Sequence, residues 1–297
     1  MRELLTDRAY AAGWHAVRHS PERVARVTFG QLADQAWRRH GRGVQQLERN
    51  LSRIVVDASP QDLRDLSREA MQSYFRYWRE AFRLPEWGAD EVVDRIVVHH
   101  EERLRGPASS GQGVITALGH LGNWDHAGAW ASTTGIAFTT VAERLKPESL
   151  FRRFLEYRES LGMEVLPLSG GEDVSGTLVA RLGQGRVIAL VADRDLGSTG
   201  IEVDLLGEPA RFPAGPAVLA LRTGAPLLPV MSWYDKDRTH LEIQTALHVD
   251  SSLGFRDSVL ALTQQFADAL GQALREHPTD WHMLQRVWTA DVVPAPS

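Results

Sequence analysis

The chain has 297 residues, 43% hydrophobic and 24% charged, values that fit an ordinary folded protein and exclude a disordered or fibrous one. It contains no cysteine, which excludes disulfide staples, thiolate metal sites and an acyl-cysteine intermediate, and agrees with a reducing compartment. The net charge is −5, yet residues 1–50 carry nine arginines against five acidic residues, so this stretch offers a basic face to anionic lipid, nucleic acid or solvent.

The length allows one large α/β unit, and a single domain spanning residues 1–297 is expected. The longest apolar runs, Val187–Ala192 and Ala217–Leu221, fall far short of the roughly 18 residues that cross a bilayer. At the N-terminus, Asp7, Arg8 and His15 interrupt anything resembling a secretory signal, so the protein is expected on the cytoplasmic side.

Residues 1–105 read as helical and, given their charge, as the membrane-facing region. Leu5, Ala9, Ala12 and Ala16 share one face of a first helix, with Leu4, Trp14 and Val17 beside them. Further helices are predicted over Glu22–Arg39 and Pro60–Phe82. The second opens on Ser59-Pro60 and carries Tyr74, Phe75, Tyr77, Trp78 and Phe82, an aromatic set that reads as core. Gly106–Gly113 reads as a loop, after which short apolar runs alternate with amphipathic stretches. Strands are predicted at Val114–Leu118, Ala137–Val141, Glu164–Leu168, Val187–Ala192 and Leu227–Met231. Helices are predicted near Asn123–Ser132, Pro147–Leu161, Asp173–Gln184, Ala214–Thr223 and Leu253–His277. This alternation specifies an α/β fold: a central mixed, mostly parallel sheet flanked by helices, with a helical N-terminal region.

The chemistry concentrates at Val114-Ile115-Thr116-Ala117-Leu118-Gly119-His120-Leu121-Gly122-Asn123-Trp124-Asp125. An apolar strand ends, a histidine follows, and a carboxylate arrives in the first turn of the next helix. Ligands bind at the carboxyl ends of strands in such sheets. A histidine with a carboxylate behind it suits removal of a proton from a hydroxyl, so Asp125 is expected to orient His120. The His-x4-Asp spacing alone is weak, since about 0.7 occurrences are expected by chance for this composition. Glycines at 119 and 122, which let backbone approach a ligand, strengthen it.

Further blocks follow in order: Val141-Ala142-Glu143-Arg144-Leu145-Lys146-Pro147 continuing to Arg158; Ala192-Asp193-Arg194-Asp195; Phe212-Pro213-Ala214-Gly215-Pro216; Ala225-Pro226-Leu227-Leu228-Pro229-Val230; and Asp280-Trp281-His282-Met283-Leu284-Gln285. Together with His120 and Asp125 they resemble the lysophospholipid acyltransferase superfamily, and more narrowly the bacterial phosphatidylinositol mannoside acyltransferases related to the late lipid A acyltransferases. The likeness runs from Ala11-Ala12-Gly13-Trp14 to Trp288. One departure is that members of that family can carry glutamate where this chain has Asp193.

The resemblance implies direct transfer of a long-chain acyl group, palmitoyl being the expected one, from acyl-coenzyme A to a mannose hydroxyl of phosphatidylinositol mannosides, with a lipid A precursor or a lysophospholipid as the alternative acceptor. His120, Asp125 and Asp193 would be catalytic, and Asn123, Glu143, Arg144, Arg158, Arg194 and Asp195 would bind substrate. It implies no cofactor beyond the acyl-coenzyme A substrate, no metal and no nucleic acid, and a peripheral location on the cytoplasmic face of an anionic membrane. The missing cysteine and the absence of a Gly-x-Ser-x-Gly elbow agree with transfer lacking a covalent intermediate. Each residue also has a plainer reading: Asp125 as a helix cap, Arg158 as a solvated face, Asp193 and Asp195 as turn caps. A metal-dependent phosphoesterase built from His120, Asp125, Asp193 and Asp195 is the alternative chemistry, and a non-catalytic lipid-binding protein the alternative class.

Overall fold

The computed structural model describes residues 14, 17–144, 148–168, 173–195 and 200–291. The first predicted helix, apart from Trp14 and Val17, lies outside them, as do Leu145-Lys146-Pro147. Three helices come first, α1 (Glu22–Arg38), α2 (Arg42–Ile54) and α3 (Pro60–Arg83). The start of α3 is fixed by its sequence. Ser59 Oγ accepts from Asp62 N, Ser59 N donates back to the Asp62 carboxylate, and Pro60 occupies the first turn, where its missing N–H is not needed.

The core is a seven-stranded sheet whose strands in chain order are β1 (Ile96–His99), β2 (Val114–Leu118), β3 (Phe138–Ala142), β4 (Glu164–Pro167), β5 (Val187–Val191), β8 (Leu227–Asp235) and β9 (Arg238–Ile243). Between β5 and β8 the chain forms a separate hairpin, β6 (Ile201–Leu205) and β7 (Glu208–Phe212). Spatial order in the large sheet is β1-β9-β8-β2-β5-β3-β4, parallel throughout except for the antiparallel pair β8/β9. The expected mixed, mostly parallel sheet with flanking helices is what forms. The helices between and after the strands are α4 (Ala89–Asp94), α5 (Glu102–Ser109), α6 (Trp124–Thr133), α7 (Glu148–Ser160), α8 (Val174–Leu182), α9 (Gly215–Thr223) and α10 (Phe255–Glu276).

Strand β2 is central and buried on both faces, as its unbroken apolar run requires. Its side chains alternate between two cores: Ile115 and Ala117 join Leu47, Leu51, Ile188 and Leu270, while Val114 and Leu118 join Trp130, Phe138, Val187 and Val230. Burying an aliphatic side chain of this size contributes about 1.5–3 kcal/mol, so both cores pin the strand end that carries the site.

Several elements differ from the sequence reading, among them strands β6, β7 and β9, which it does not contain. Ile96-Val97-Val98-His99, inside the stretch read as helical, is an edge strand pairing in parallel with β9. This β-branched run is too short for periodicity to reveal it. The stretch Gly106-Pro107-Ala108-Ser109, read as loop, is the end of α5, with Pro107 inside a helix of eight residues. The hairpin turn Leu206-Gly207 holds both residues at positive φ, 62° and 93°. That suits Gly207 but strains Leu206, which packs so closely on α10 that a Cβ at Gly271 would sit 3.2 Å from its Cδ2. Among the described residues, no helix is long and apolar enough to cross a membrane.

Candidate active site

His120 follows β2 by two residues, and Asp193 follows β5 by two. The parallel register pairs Leu118 with Val191, and Ala192 N donates to Leu118 O at 2.8 Å. Continuing that register sets His120 beside Asp193. Their side chains meet, with His120 Nδ1 2.6 Å from Asp193 Oδ1, and His120 N donates to Asp193 Oδ2 at 2.7 Å. Trp281 Nε1 donates to the same Oδ2 at 2.8 Å. Gly119 makes this approach possible, because a Cβ there would lie 2.8 Å from Leu270 Cδ1 and 3.3 Å from Asp193 Oδ2.

The Asp193 side chain is 0% exposed and that of His120 is 31% exposed. Burial alone would raise the Asp193 carboxyl, but the facing imidazole and the donors from His120 and Trp281 hold it below its ordinary value. An ionised Asp193 accepts the Nδ1 proton, leaving Nε2 as the basic nitrogen of a half-open imidazole. The ring of Trp124 stands edge-on to His120 at 5.4 Å.

Asp125, expected behind His120, is turned elsewhere. Its Oδ1 accepts from Arg158 Nε at 2.8 Å and its Oδ2 from Tyr77 hydroxyl at 2.7 Å, and it is only 2% exposed. Placed in the first turn of α6, it faces α3 and α7, while the loop before it carries His120 toward β5. Burial, and then the Asp125 charge, push the Tyr77 phenol well above its ordinary range, so it remains a donor. Burial opposes the charge on Arg158, but Asp125 more than restores it and the guanidinium is raised. The expectation that Asp125 orients the histidine is therefore replaced: Asp193 occupies that place and Asp125 joins three helices.

The remaining residues divide between rim and interior. Asn123 is fully buried and caps α6, its Oδ1 accepting from His126 N at 2.9 Å and its Nδ2 donating to Glu80 at 3.1 Å. Its amide is thus committed to the protein, against the expectation of a substrate contact. Arg158, as above, is committed to Asp125. Arg144 is exposed and paired with Glu148, the first residue of α7, through two hydrogen bonds of 2.8 Å, a solvated pair. Glu143 and Arg194 meet at 3.5 Å at the site's rim, and Arg194 also donates to Gln285. The Arg194 Nε is buried without a hydrogen-bond partner among the described residues. Asp195 accepts from Gly200 N at 2.9 Å. Among the described residues no three histidine or acidic side chains gather as metal ligands, and the four residues of the phosphoesterase alternative separate into the His120–Asp193 pair, the Asp125 cluster and the Asp195 turn.

Sequence reasoning quoted Asp280-Trp281-His282 without giving it a place. The segment runs beside the His120 loop: Leu121 bridges Trp281, Gly122 N donates to Asp280 O at 3.0 Å, and His282 N donates to His120 O at 2.8 Å. Buried Asn50 on α2 donates to Met283 O at 2.8 Å and anchors it. Ser73 Oγ lies 2.6 Å from Asp280 Oδ1 and 3.0 Å from His282 Nε2. Burial, reinforced by His120, lowers the His282 imidazole to about 3, so it is neutral. Glu80 was also missed; burial opposes its charge, but Arg76 and Arg79 hold it ionised beneath the Asn123 cap.

Beside the site is an apolar cavity lined by Leu118, Trp124, Ala127, Trp130, Phe138 and Met163, with Asp125 and Arg158 as its charged members. Gly128 keeps it open, since a Cβ there would lie 2.6 Å from Met163 Cε. A carboxylate-bound imidazole thus stands at the strand ends of an α/β sheet, next to an apolar cavity. The particular family follows from comparison. The chain belongs to the family described as bacterial lipid A biosynthesis acyltransferase, which it matches over residues 2–290. It is 48% identical over 289 residues to the phosphatidylinositol mannoside acyltransferase of Mycolicibacterium smegmatis, covering 97% of this chain and 93% of the relative. To the phosphatidylinositol mannoside acyltransferase of Mycobacterium tuberculosis H37Rv it is 47% identical over 291 residues, covering 97% and 90%. The resemblance read from the residue blocks thus stands.

Proposed function

We propose that the protein transfers a long-chain acyl group, palmitoyl being the expected one, from acyl-coenzyme A to a mannose hydroxyl of phosphatidylinositol mannosides. The observation that carries the mechanism is the 2.6 Å contact of His120 Nδ1 with buried Asp193, which leaves Nε2 on a half-open imidazole. In this reading His120 Nε2 removes the proton of the sugar hydroxyl while its oxygen forms a bond to the thioester carbonyl carbon. The tetrahedral intermediate then collapses, the carbon–sulfur bond breaks, and the coenzyme A thiolate takes the proton back from His120. Asp193 stabilises the imidazolium between these steps without itself accepting the proton. Arg194, whose Nε has no hydrogen-bond partner among the described residues, is the better-placed of the two arginines to meet oxyanion charge, because Arg158 is bound to Asp125. The apolar cavity is the natural place for the acyl chain.

The acceptor follows from the relatives' names. Radiolabelled palmitoyl-coenzyme A incubated separately with phosphatidylinositol mannosides, a lipid A precursor and a lysophospholipid, with mass spectrometry of each product, tests donor and acceptor together. Acylation of the mannosides alone is the expected outcome. Transfer only to another lipid would replace the acceptor, and binding without transfer to any of them would make the protein a lipid carrier.

The reaction joins a membrane lipid to a water-soluble thioester, so the enzyme must work at a surface. We place it peripherally on the cytoplasmic face. In support, α1 exposes Val24, Val27 and Leu32 beside Arg23, a mixture of apolar and basic groups that suits an anionic interface. Co-sedimentation with anionic vesicles should fall as salt rises, and salt-independent binding would count against an electrostatic contribution.

A further inference from the structure

We propose that Trp281 is a positioning residue of the transfer reaction: its indole N–H fixes the Asp193 carboxylate so that one oxygen alone serves His120, and thereby sets how strongly that carboxylate holds the protonated imidazole. The inference rests on His120 being the general base.

The five atoms concerned form a closed arrangement. Asp193 Oδ2 takes two donors, His120 N at 2.7 Å and Trp281 Nε1 at 2.8 Å, while Oδ1 faces His120 Nδ1 at 2.6 Å. A carboxylate wholly removed from water needs compensation, and no Arg or Lys hydrogen bond reaches this one among the described residues. Two neutral N–H groups and the histidine supply it. Because the donors on Oδ2 share the negative charge, they restrain the pull that Oδ1 exerts on the Nδ1 proton. They also prevent rotation of the carboxylate, which would exchange its oxygens and tilt the imidazole.

Trp281 is itself rigidly placed. It is 1% exposed, stands edge-on to Trp288 at 5.8 Å, and belongs to the segment bonded on both sides to the His120 loop. Packing in an apolar core asks only for a large ring. The 2.8 Å bond asks for a donor on it, which phenylalanine lacks. Among the described residues, the other titratable or charged groups near the pair are neutral His282 from the same segment, Arg194, which turns toward Glu143 and Gln285, and Asp195, bonded to Gly200. None of them replaces the indole on Oδ2.

Removing the N–H should leave Oδ2 short of a donor, strengthen the hold of Oδ1 on the imidazolium, and keep His120 protonated to higher pH. The experiment compares wild type, Trp281→Phe, and the chain carrying benzothienylalanine at 281, in which sulfur replaces N–H on a ring of the same shape. Two readouts are taken. One is the acid limb of kcat/KM for palmitoyl transfer from palmitoyl-coenzyme A to phosphatidylinositol mannosides. The other is the NMR titration of the His120 ring in 13C-histidine-labelled protein, assigned by its loss in His120→Ala. Both midpoints should move upward together by roughly 0.5–1 pH unit, with a plateau rate reduced by less than the ~10²-fold that loss of a general base costs. If the folded benzothienylalanine protein titrates at the wild-type midpoint, Trp281 merely fills space and the inference is wrong. Transfer by His120→Ala at the wild-type rate would instead overturn the general-base reading, whatever the NMR midpoints do, so the two failures are distinguishable.

Discussion

Two buried carboxylates, Asp193 just past β5 and Asp125 in the first turn of α6, keep different company, which separates the proposed reacting region from a bracing one. Asp193 faces an imidazole that reaches solvent; Asp125 faces a buried guanidinium and a buried phenol. Both are satisfied and both are nearly inaccessible. The partner of Asp193 is the more open of the two, with 31% of the His120 side chain exposed against 19% of that of Arg158. Asp125 spends its charge holding α3, α6 and α7 together. A histidine followed five residues later by aspartate therefore marks one place in the chain that serves two physical purposes.

The largest expected effect is on chemistry. His120→Ala should reduce transfer by about 10²–10⁴-fold, with unchanged fold by circular dichroism and acyl-coenzyme A affinity within a few-fold by calorimetry. Next is stability at the bracing region. Asp125→Ala leaves buried Arg158 unpaired, and losing one partner of a buried pair costs about 3–5 kcal/mol, which denaturant unfolding should report. A Asp125→Ala protein as stable as wild type would show that the pair does not brace the helices.

A smaller effect separates the two regions by pH. His282 is held at about 3 in the folded chain against an ordinary value near 6.5 when unfolded. The folded state therefore binds fewer protons between these values. The stability this group contributes is complete above about pH 6.5 and is lost as pH falls toward about 3. Asp193, lowered by its donors, works in the same direction: its contribution is present above the ordinary carboxylate range and is lost as pH falls through its folded value. Melting temperature should thus decline from pH 7 to pH 4, and His282→Asn should flatten that decline, whereas a parallel curve would dissociate His282 from it. Smallest of all, Arg144→Ala at the exposed pair with Glu148 should change neither melting temperature nor transfer rate measurably. A large loss of rate with retained fold would return Arg144 to the substrate site.

Most of the fold was legible because its strands are apolar runs separated by turn residues, and the sheet class follows from their alternation with helices. Edge strand β1 was not, since four residues carry no period, and neither was Leu206 at positive φ, whose conformation is imposed by packing on α10. At the site, His120 and Asp193 were both legible as polar residues just past the ends of strands. Their pairing was not, because spacing along the chain brings forward Asp125, five residues away, while the true neighbour is 73 residues away and is reached across the sheet. The parallel register of Val114–Leu118 with Val187–Val191 was the available signal, since both residues follow their strands by two. Asn123, read as a ligand contact, stands at a strand-to-helix junction where asparagine is a favoured cap. Trp281 and Glu80 act on the site from elsewhere in the chain, and no local pattern announces such contacts.

The central claim is that Asp193, and not Asp125, works as one unit with His120. It is tested most directly by transfer rates of folded Asp193→Asn, Asp125→Asn, His120→Ala and the His120→Ala/Asp193→Asn double variant under one set of conditions. Groups acting as a unit are strongly non-additive. The expected result is a large rate loss in Asp193→Asn, a double variant little worse than His120→Ala, and a milder loss in Asp125→Asn that tracks its stability. Near wild-type transfer by Asp193→Asn, with abolition in a fully folded Asp125→Asn, would contradict the account.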